Sequence, residues 1–207
     1  MSPLVAKIGG SLWRSPLLSR WVAALAAWPG PICIVPGGGP FADAVRAAQG
    51  PMRFSERAAH EMALIAMEQY GIALCDLFGG LALAATPREA AALRAQGRTP
   101  VWRPRAMTLE AALPASWDVT SYSLAAWYAR ESGAPRLLVI KSVDAGCASE
   151  AESLVDPCFS ECARGLSVFL LGPKDVEEAE AHLPLGSIPW RRAALAAPKG
   201  ERISLPS

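Results

Sequence analysis

Short apolar runs recur along the chain, and most are bounded by proline or glycine. Leu4-Val5-Ala6 predicts a buried strand over Pro3 to Ile8, and Ile32-Cys33-Ile34-Val35 predicts another over Pro31 to Pro36. Thr99 to Trp102 reads as a brief strand. Arg136 to Lys141, carrying Leu137-Leu138-Val139-Ile140, is the clearest strand, and Leu166 to Leu171 is a further one. Leu81 to Ala85 is a short apolar run of the same kind.

Helical spacing fills the intervals. Ser15-Pro16 opens a helix that runs to about Trp28 and stops at Pro29-Gly30-Pro31. Pro40 opens the next, to Ala48, and Gln49 to Arg53 reads as a loop. Ser55 caps a long helix from Glu56 to about Tyr70, with Glu56 in its acidic first turn. Its apolar positions, Ala59, Met62, Ala63, Ile65, Ala66 and Met67, cover much of the circumference and predict a largely buried helix. Gly71 interrupts it, and Ile72 to Phe78 suits either a continued helix or a strand. Thr86-Pro87 starts a helix ending near Gly97, and Arg103 to Trp117 reads as irregular. Thr120 caps a helix to about Ser132. Ala145 to Val155 reads as a loop, Asp156-Pro157 opens a short helix, and Pro173 to Ala181 forms another. The last twenty residues are loop-like. Strands alternating with helices predict an α/β fold, a three-layer αβα sandwich with a mostly parallel central sheet.

At 207 residues and 52% hydrophobic, the chain can bury a full core and reads as one domain, with a weak boundary near Pro104 to Pro114. Twenty basic and 19 acidic residues give a net charge of +1, so there is no electrostatic case for nucleic acid or an acidic membrane surface. The apolar stretch from Leu17 to Trp28 contains Ser19 and Arg20 and is too short to span a bilayer. No secretory pattern opens the sequence, and a cytoplasmic protein is expected. Cys33, Cys75, Cys147, Cys158 and Cys162 form no C-x-x-C pair, and only His60 and His182 could assist them. Reduced thiols are therefore expected, with no metal site.

Two glycine turns carry the candidate chemistry. Lys7-Ile8-Gly9-Gly10-Ser11 and Gly37-Gly38-Gly39 each follow a strand and precede a helical stretch. That arrangement presents backbone N–H groups to an anion. Lys7 ends a buried strand, where an ammonium is costly unless it reaches an anion or a cleft edge. The alternative is a tight turn with an exposed lysine. Gly37 to Ala42 also fits the dinucleotide fingerprint G-x-G-x-x-A, but the segment that follows reads as helix where that motif needs a strand ending in an acidic residue. Thr120-Ser121, with Asp118 before them, open a helix that suits a phosphate or a carboxylate, or is simply capped by Thr120. Lys141-Ser142-Val143-Asp144 closes the strongest strand, as a nucleotide or magnesium-phosphate contact or a solvated strand end. His60 in the long helix suits a core hydrogen bond better than catalysis. Arg103 and Arg105 read either as substrate-facing or as a solvated loop.

In this order the segments resemble the amino acid kinase superfamily, the fold of acetylglutamate, aspartate, carbamate and uridylate kinases. The matching pieces are Val5 to Ser11, Val35 to Gly39, Asp118 to Ser121 leading into Ser123 to Ala126, Lys141 to Asp144, and Leu154 to Pro157 with Phe159. Ala58 to Ala63 with Met67 to Gly71 looks like the small branch acting on 5-(aminomethyl)-3-furanmethanol phosphate in methanofuran-type cofactor synthesis. The resemblance implies phosphoryl transfer from ATP with Mg2+ to a phosphate or carboxylate acceptor, in a homo-oligomer. It implies an acceptor-side part over about 1–105 and a nucleotide-side part over about 106–207. Lys7 would stabilise the transferring phosphoryl group, with the N–H groups of Gly9 and Gly10 and the hydroxyl of Ser11 around the donor phosphates. Lys141, Ser142, Val143 and Asp144 would lie by the nucleotide, Asp144 in a catalytic role. Gly37, Gly38, Gly39, His60, Thr120, Ser121 and Tyr122 would face the acceptor. The sequence departs from the pattern at Tyr122, where the family has aspartate. That departure implies an alternative, a kinase-fold binding or assembly subunit with impaired catalysis.

Overall fold

The computed structural model describes residues 1–111, 113–144, 155–191 and 193. Expectations for 145–154, for Cys147 and for most of the last twenty residues lie outside the described residues. Among the described residues six parallel strands form one sheet, in the order β3-β4-β2-β1-β5-β6. They are β1 (Leu4–Ile8), β2 (Ile32–Pro36), β3 (Leu81–Ala84), β4 (Thr99–Trp102), β5 (Arg136–Ile140) and β6 (Ser167–Leu171). Every strand pairing is parallel. Such a sheet needs helices on both faces, so its strands are mostly apolar rather than alternating with polar residues, and the buried Lys7 of β1 stands out against that pattern.

The helices divide the sheet's two faces. α1 (Leu18–Ala26) packs on one face, where Trp21 and Leu25 meet Leu4, Ala6 and Ile8 of β1. α2 (Gly39–Met52) leads into α3 (Glu56–Leu77). α4 (Pro87–Ala95) and the short α5 (Arg105–Glu110) follow. α6 (Ser121–Glu131) and α7 (Phe159–Cys162) cover the other face, with Leu124, Tyr128 and Phe159 against Val5, Val35 and Val139. α8 (Val176–His182) returns to the α1 side.

Several elements differ from the sequence reading. Gln49 to Met52 continue α2 instead of forming a loop, with Pro51 in the last turn and Arg53 ending it at φ 56°. α3 runs through Gly71 to Leu77. A Cβ on Gly71 would come within 3.3 Å of Val101 and 3.4 Å of Leu83, so the glycine lets the helix lie close on the sheet and does not break it. α3 buries Ala59, His60, Leu64, Ala66, Met67, Tyr70 and Leu74, whereas Met62 and Ile65 are exposed. The segment read as irregular contains α5, and a 3-10 turn over Gly10–Arg14 precedes α1.

β1 pairs with β2 on one side and β5 on the other, Lys7 opposite both Val35 and Val139. The chain moves outward from β1 to β2 and beyond, then returns to β1's other edge as β5. Such a reversal opens a crevice beyond the carboxyl ends of the strands.

Candidate functional site

The period of a strand decides where Lys7 points. Leu4, Ala6 and Ile8 face α1, so Val5 and Lys7 face the layer of α6. Lys7 is 1% exposed, with its residue placed one position before the end of β1. The exposed-lysine alternative is therefore excluded.

The two glycine turns are in direct contact. A Cβ on Gly10 would fall 2.5 Å from the backbone nitrogen of Gly39, and one on Gly37 would collide with the backbone of Gly10. The Gly9 N–H donates to Ile140 O at 2.8 Å and the Gly37 N–H to Ile8 O at 2.9 Å. These two amides tie strand ends together, which corrects the expectation that Gly9 offers its N–H to a phosphate. Gly10 and Gly39 instead open the 3-10 turn and α2, where a first turn leaves N–H groups without a partner inside the helix. Gly39 sits at φ 55°, and its backbone is what the next strand's turn presents.

A cleft of about 450 Å3 opens over these turns. Lys7, Gly10, Ser11, Gly38 and Gly39 form its floor, and Thr120, Ser121 and Tyr122 one side. Ala63, Leu64, Met67 and Leu124 supply an apolar wall, while Asp43, Arg46, Glu56 and Trp117 stand at the polar rim. Trp117 is fixed there: its indole N–H donates to Gln49 Oε1 at 2.7 Å, and the Arg46 guanidinium lies 4.3 Å from its ring. Gln49 Nε2 also donates to Glu56 Oε1 at 2.8 Å, joining α2 to α3. His60 lines the same cleft at 8% exposure. Among the described residues its Nε2 has no hydrogen-bond partner, and burial pushes its pKa down, so a neutral imidazole faces the cavity.

The start of α6 is organised by Asp156, a residue the sequence reading did not place in the site. Asp156 Oδ2 accepts from the backbone N–H of Thr120 at 3.1 Å, the Thr120 hydroxyl at 2.6 Å and the Ser123 N–H at 3.1 Å. Its Oδ1 accepts from the Ser123 hydroxyl. Thr120 therefore does not cap the helix with its own side chain; a carboxylate from a remote segment does so. Burial pushes the Asp156 carboxyl pKa up, opposed by these hydrogen bonds.

Lys7 and Lys141 meet at Tyr122. Lys7 Nζ lies 3.4 Å from the centroid of the tyrosine ring and Lys141 Nζ 4.5 Å from it. Burial pushes the Lys7 pKa well below the usual lysine range, the Lys141 charge lowers it further, and Asp156 opposes both. Burial brings Lys141 down to about 8.

The other residues expected near a nucleotide lie outside the cleft's lining. The hydroxyls of Ser142 and Ser11 share a hydrogen bond of 2.7 Å, joining the β5 end to the first glycine turn. Val143 is half exposed. Asp144 Oδ1 accepts from the Lys174 N–H at 3.1 Å, and Gly172 packs against its side chain, so this carboxylate braces the turn after β6. Arg103 and Arg105 face neither cleft nor open solvent alone. Arg105 Nη2 lies 2.5 Å from Glu61 and Arg103 Nη2 3.4 Å from Glu68, both on α3. Among the described residues no three His, Cys, Asp or Glu side chains gather to hold a metal ion, and no helix is long and apolar enough to cross a membrane.

No family model and no curated protein matches the chain. Solved structures do. The uridylate kinase of Archaeoglobus fulgidus superposes with a TM-score of 0.64 at 14% identity, covering 87% of this chain and 95% of that one. The UMP kinase of Ureaplasma parvum gives 0.62 at 13% identity, covering 86% and 96%. With its parallel sheet flanked by helices, the chain has the fold of these uridylate kinases, the amino acid kinase fold.

Proposed function

We propose that the chain is an ATP-dependent small-molecule kinase, passing the terminal phosphoryl group of ATP to a phosphate or carboxylate oxygen of its acceptor and releasing ADP. One observation carries this reading. A buried lysine, the open first-turn amides of two touching glycine turns and a neutral histidine converge on one cleft. Phosphoryl transfer asks mainly for positioning and for charge stabilisation of the equatorial oxygens, and these are the groups that supply them.

In this reading Lys7 serves the transferring group, with the Gly10 N–H beside it. Gly38, Gly39 and His60 take the acceptor's anionic end, and Thr120, Ser121 and Tyr122 flank it. Lys141, Ser142, Val143 and Asp144 border the nucleotide. Magnesium fits as an ion carried in on the nucleotide's phosphates, a mode that commonly draws on only one or two protein carboxylates. The acceptor to test first is the phosphate of 5-(aminomethyl)-3-furanmethanol, with UMP beside it. A cytoplasmic homo-oligomer, with acceptor and nucleotide parts meeting near residue 105, completes the proposal.

The test is ADP release with ATP, magnesium and each acceptor. Turnover that survives Lys7→Ala unchanged would overturn the role of Lys7. Tyr122 favours a second reading, a binding or assembly subunit without catalysis. Nucleotide binding with no turnover of any acceptor, and turnover gained on Tyr122→Asp, would support it.

A further inference from the structure

Two buried ammonium groups lie against a single aromatic ring: Lys7 at 3.4 Å and Lys141 at 4.5 Å from the Tyr122 centroid. They come from β1 and from the end of β5, and Tyr122 comes from the first turn of α6. An ammonium removed from water needs electron density facing it. The carboxylate nearby, Asp156, accepts four hydrogen bonds at the α6 start and favours the charged Lys7 only in part, against burial and the Lys141 charge. His60, facing the same cavity from α3, is held neutral. The π-face of a tyrosine offers density to a cation while carrying no net charge.

We propose that the ring face of Tyr122 is the positioning element for Lys7 and Lys141, holding both ammonium groups by its quadrupole where a carboxylate would hold them by charge, and adding no negative charge of its own to the place an incoming polyphosphate would take. The proposal rests on the phosphoryl-transfer reading above. It assigns the work to the ring and none to the hydroxyl. Burial first, and the Asp156 charge second, push the phenol up to about 12, so it stays neutral at working pH.

A carboxylate at this place would neutralise one lysine and favour the protonated form of both. The ring does neither: burial depresses both lysines, and the Lys141 charge lowers Lys7 further against the opposing charge of Asp156. A bound polyanion reverses that balance. Binding at a pH above about 8, where Lys141 is largely deprotonated, draws protons onto the pair.

The test compares the parent chain with Tyr122→Phe, Tyr122→Leu and Tyr122→Asp, each checked for folding by its melting curve. Binding of the non-hydrolysable analogue AMP-PNP with magnesium is measured by calorimetry at about pH 8.5 in two buffers of different ionisation enthalpy. The parent and Tyr122→Phe are expected to take up protons on binding, and Tyr122→Asp to take up markedly fewer. Tyr122→Leu should bind about 10-fold more weakly, as expected for a desolvated cation–π contact. In turnover, the basic limb of the pH profile should move upward in Tyr122→Asp and hold its place in Tyr122→Phe. Tyr122→Phe behaving like Tyr122→Asp, or a parent that takes up no proton, would overturn the proposal without the leucine variant. Proton uptake as expected with no acceptor turned over would sink the kinase reading and leave the ring's role standing. Turnover with no difference between Tyr122→Phe and Tyr122→Asp would do the reverse.

Discussion

Asp156 caps the helix that begins at Thr120, reaching across 36 positions of sequence to accept from both its backbone N–H and its hydroxyl. Removing the carboxylate strands donors on Thr120 and Ser123 in a buried place. Asp156→Ala should cost about 2–4 kcal/mol, given the worth of a helix cap and of unsatisfied buried donors. For a chain of this size that is a melting temperature lower by roughly 5–15 °C. Asp156→Asn should also destabilise, because its amide donors would face donors. A melting curve unchanged by either substitution would refute the capping role.

Lys141 gives the stability a pH dependence of known sign. Its pKa is about 8 in the folded chain, against 10.5 for the free side chain, because burial disfavours the charged form. Between those values the unfolded chain binds more protons than the folded one, so this group makes stability rise with pH across that window. Below about 8 its folding penalty is fully present. The difference in urea midpoint between the parent and Lys141→Met, followed from pH 7.5 to 10, is expected to shift in the parent's favour as pH rises. A flat difference would refute the depressed value.

His60 and Arg105 should behave oppositely. His60→Ala removes an imidazole that lines the cleft and should lower kcat/KM for the acceptor by about 10- to 100-fold, the scale of one or two good polar contacts. Arg105 is about half exposed and paired with Glu61 on α3. Arg105→Ala should leave the acceptor's KM in place and change stability by less than about 1 kcal/mol. A raised KM in the arginine variant would put that side chain back in the site.

Trp117 is held at the rim by Gln49 and Arg46. Trp117→Ala should open the cleft and raise the acceptor's KM by about 10-fold, equivalent to about 1.4 kcal/mol of binding. The KM for ATP should move less, and equal effects on both substrates would show that this part of the rim is not specific to the acceptor side.

The strands were legible because each is a compact apolar run ending at proline, glycine or a charge, and a parallel sheet covered on both faces demands that pattern. Lys7 was legible for the opposite reason, as a charge where the pattern forbids one. What escaped depends on distant partners. The pairing of Asp156 with Thr120 and Ser123 spans more than thirty residues, and nothing local to Asp156-Pro157 announces it. Gly71 read as a break because helix propensity penalises glycine, whereas the closeness of Val101 and Leu83 decided the matter. Arg103 and Arg105 read as a loop because the carboxylates that pair with them belong to another helix. The two glycine turns were each visible, but their contact was not.

That contact sets a dimension. Gly10 and Gly37 meet with no room for a methyl group between them, and each turn is also tied to a neighbouring strand by the Gly9 and Gly37 amides. Turns joined in this way cannot slide or hinge against one another. They act as the fixed jaws of a caliper, whose opening is set by backbone geometry and not by side-chain rotation. Molecules held between them are selected by span as well as by charge, and any closing over them has to come from the surrounding rim.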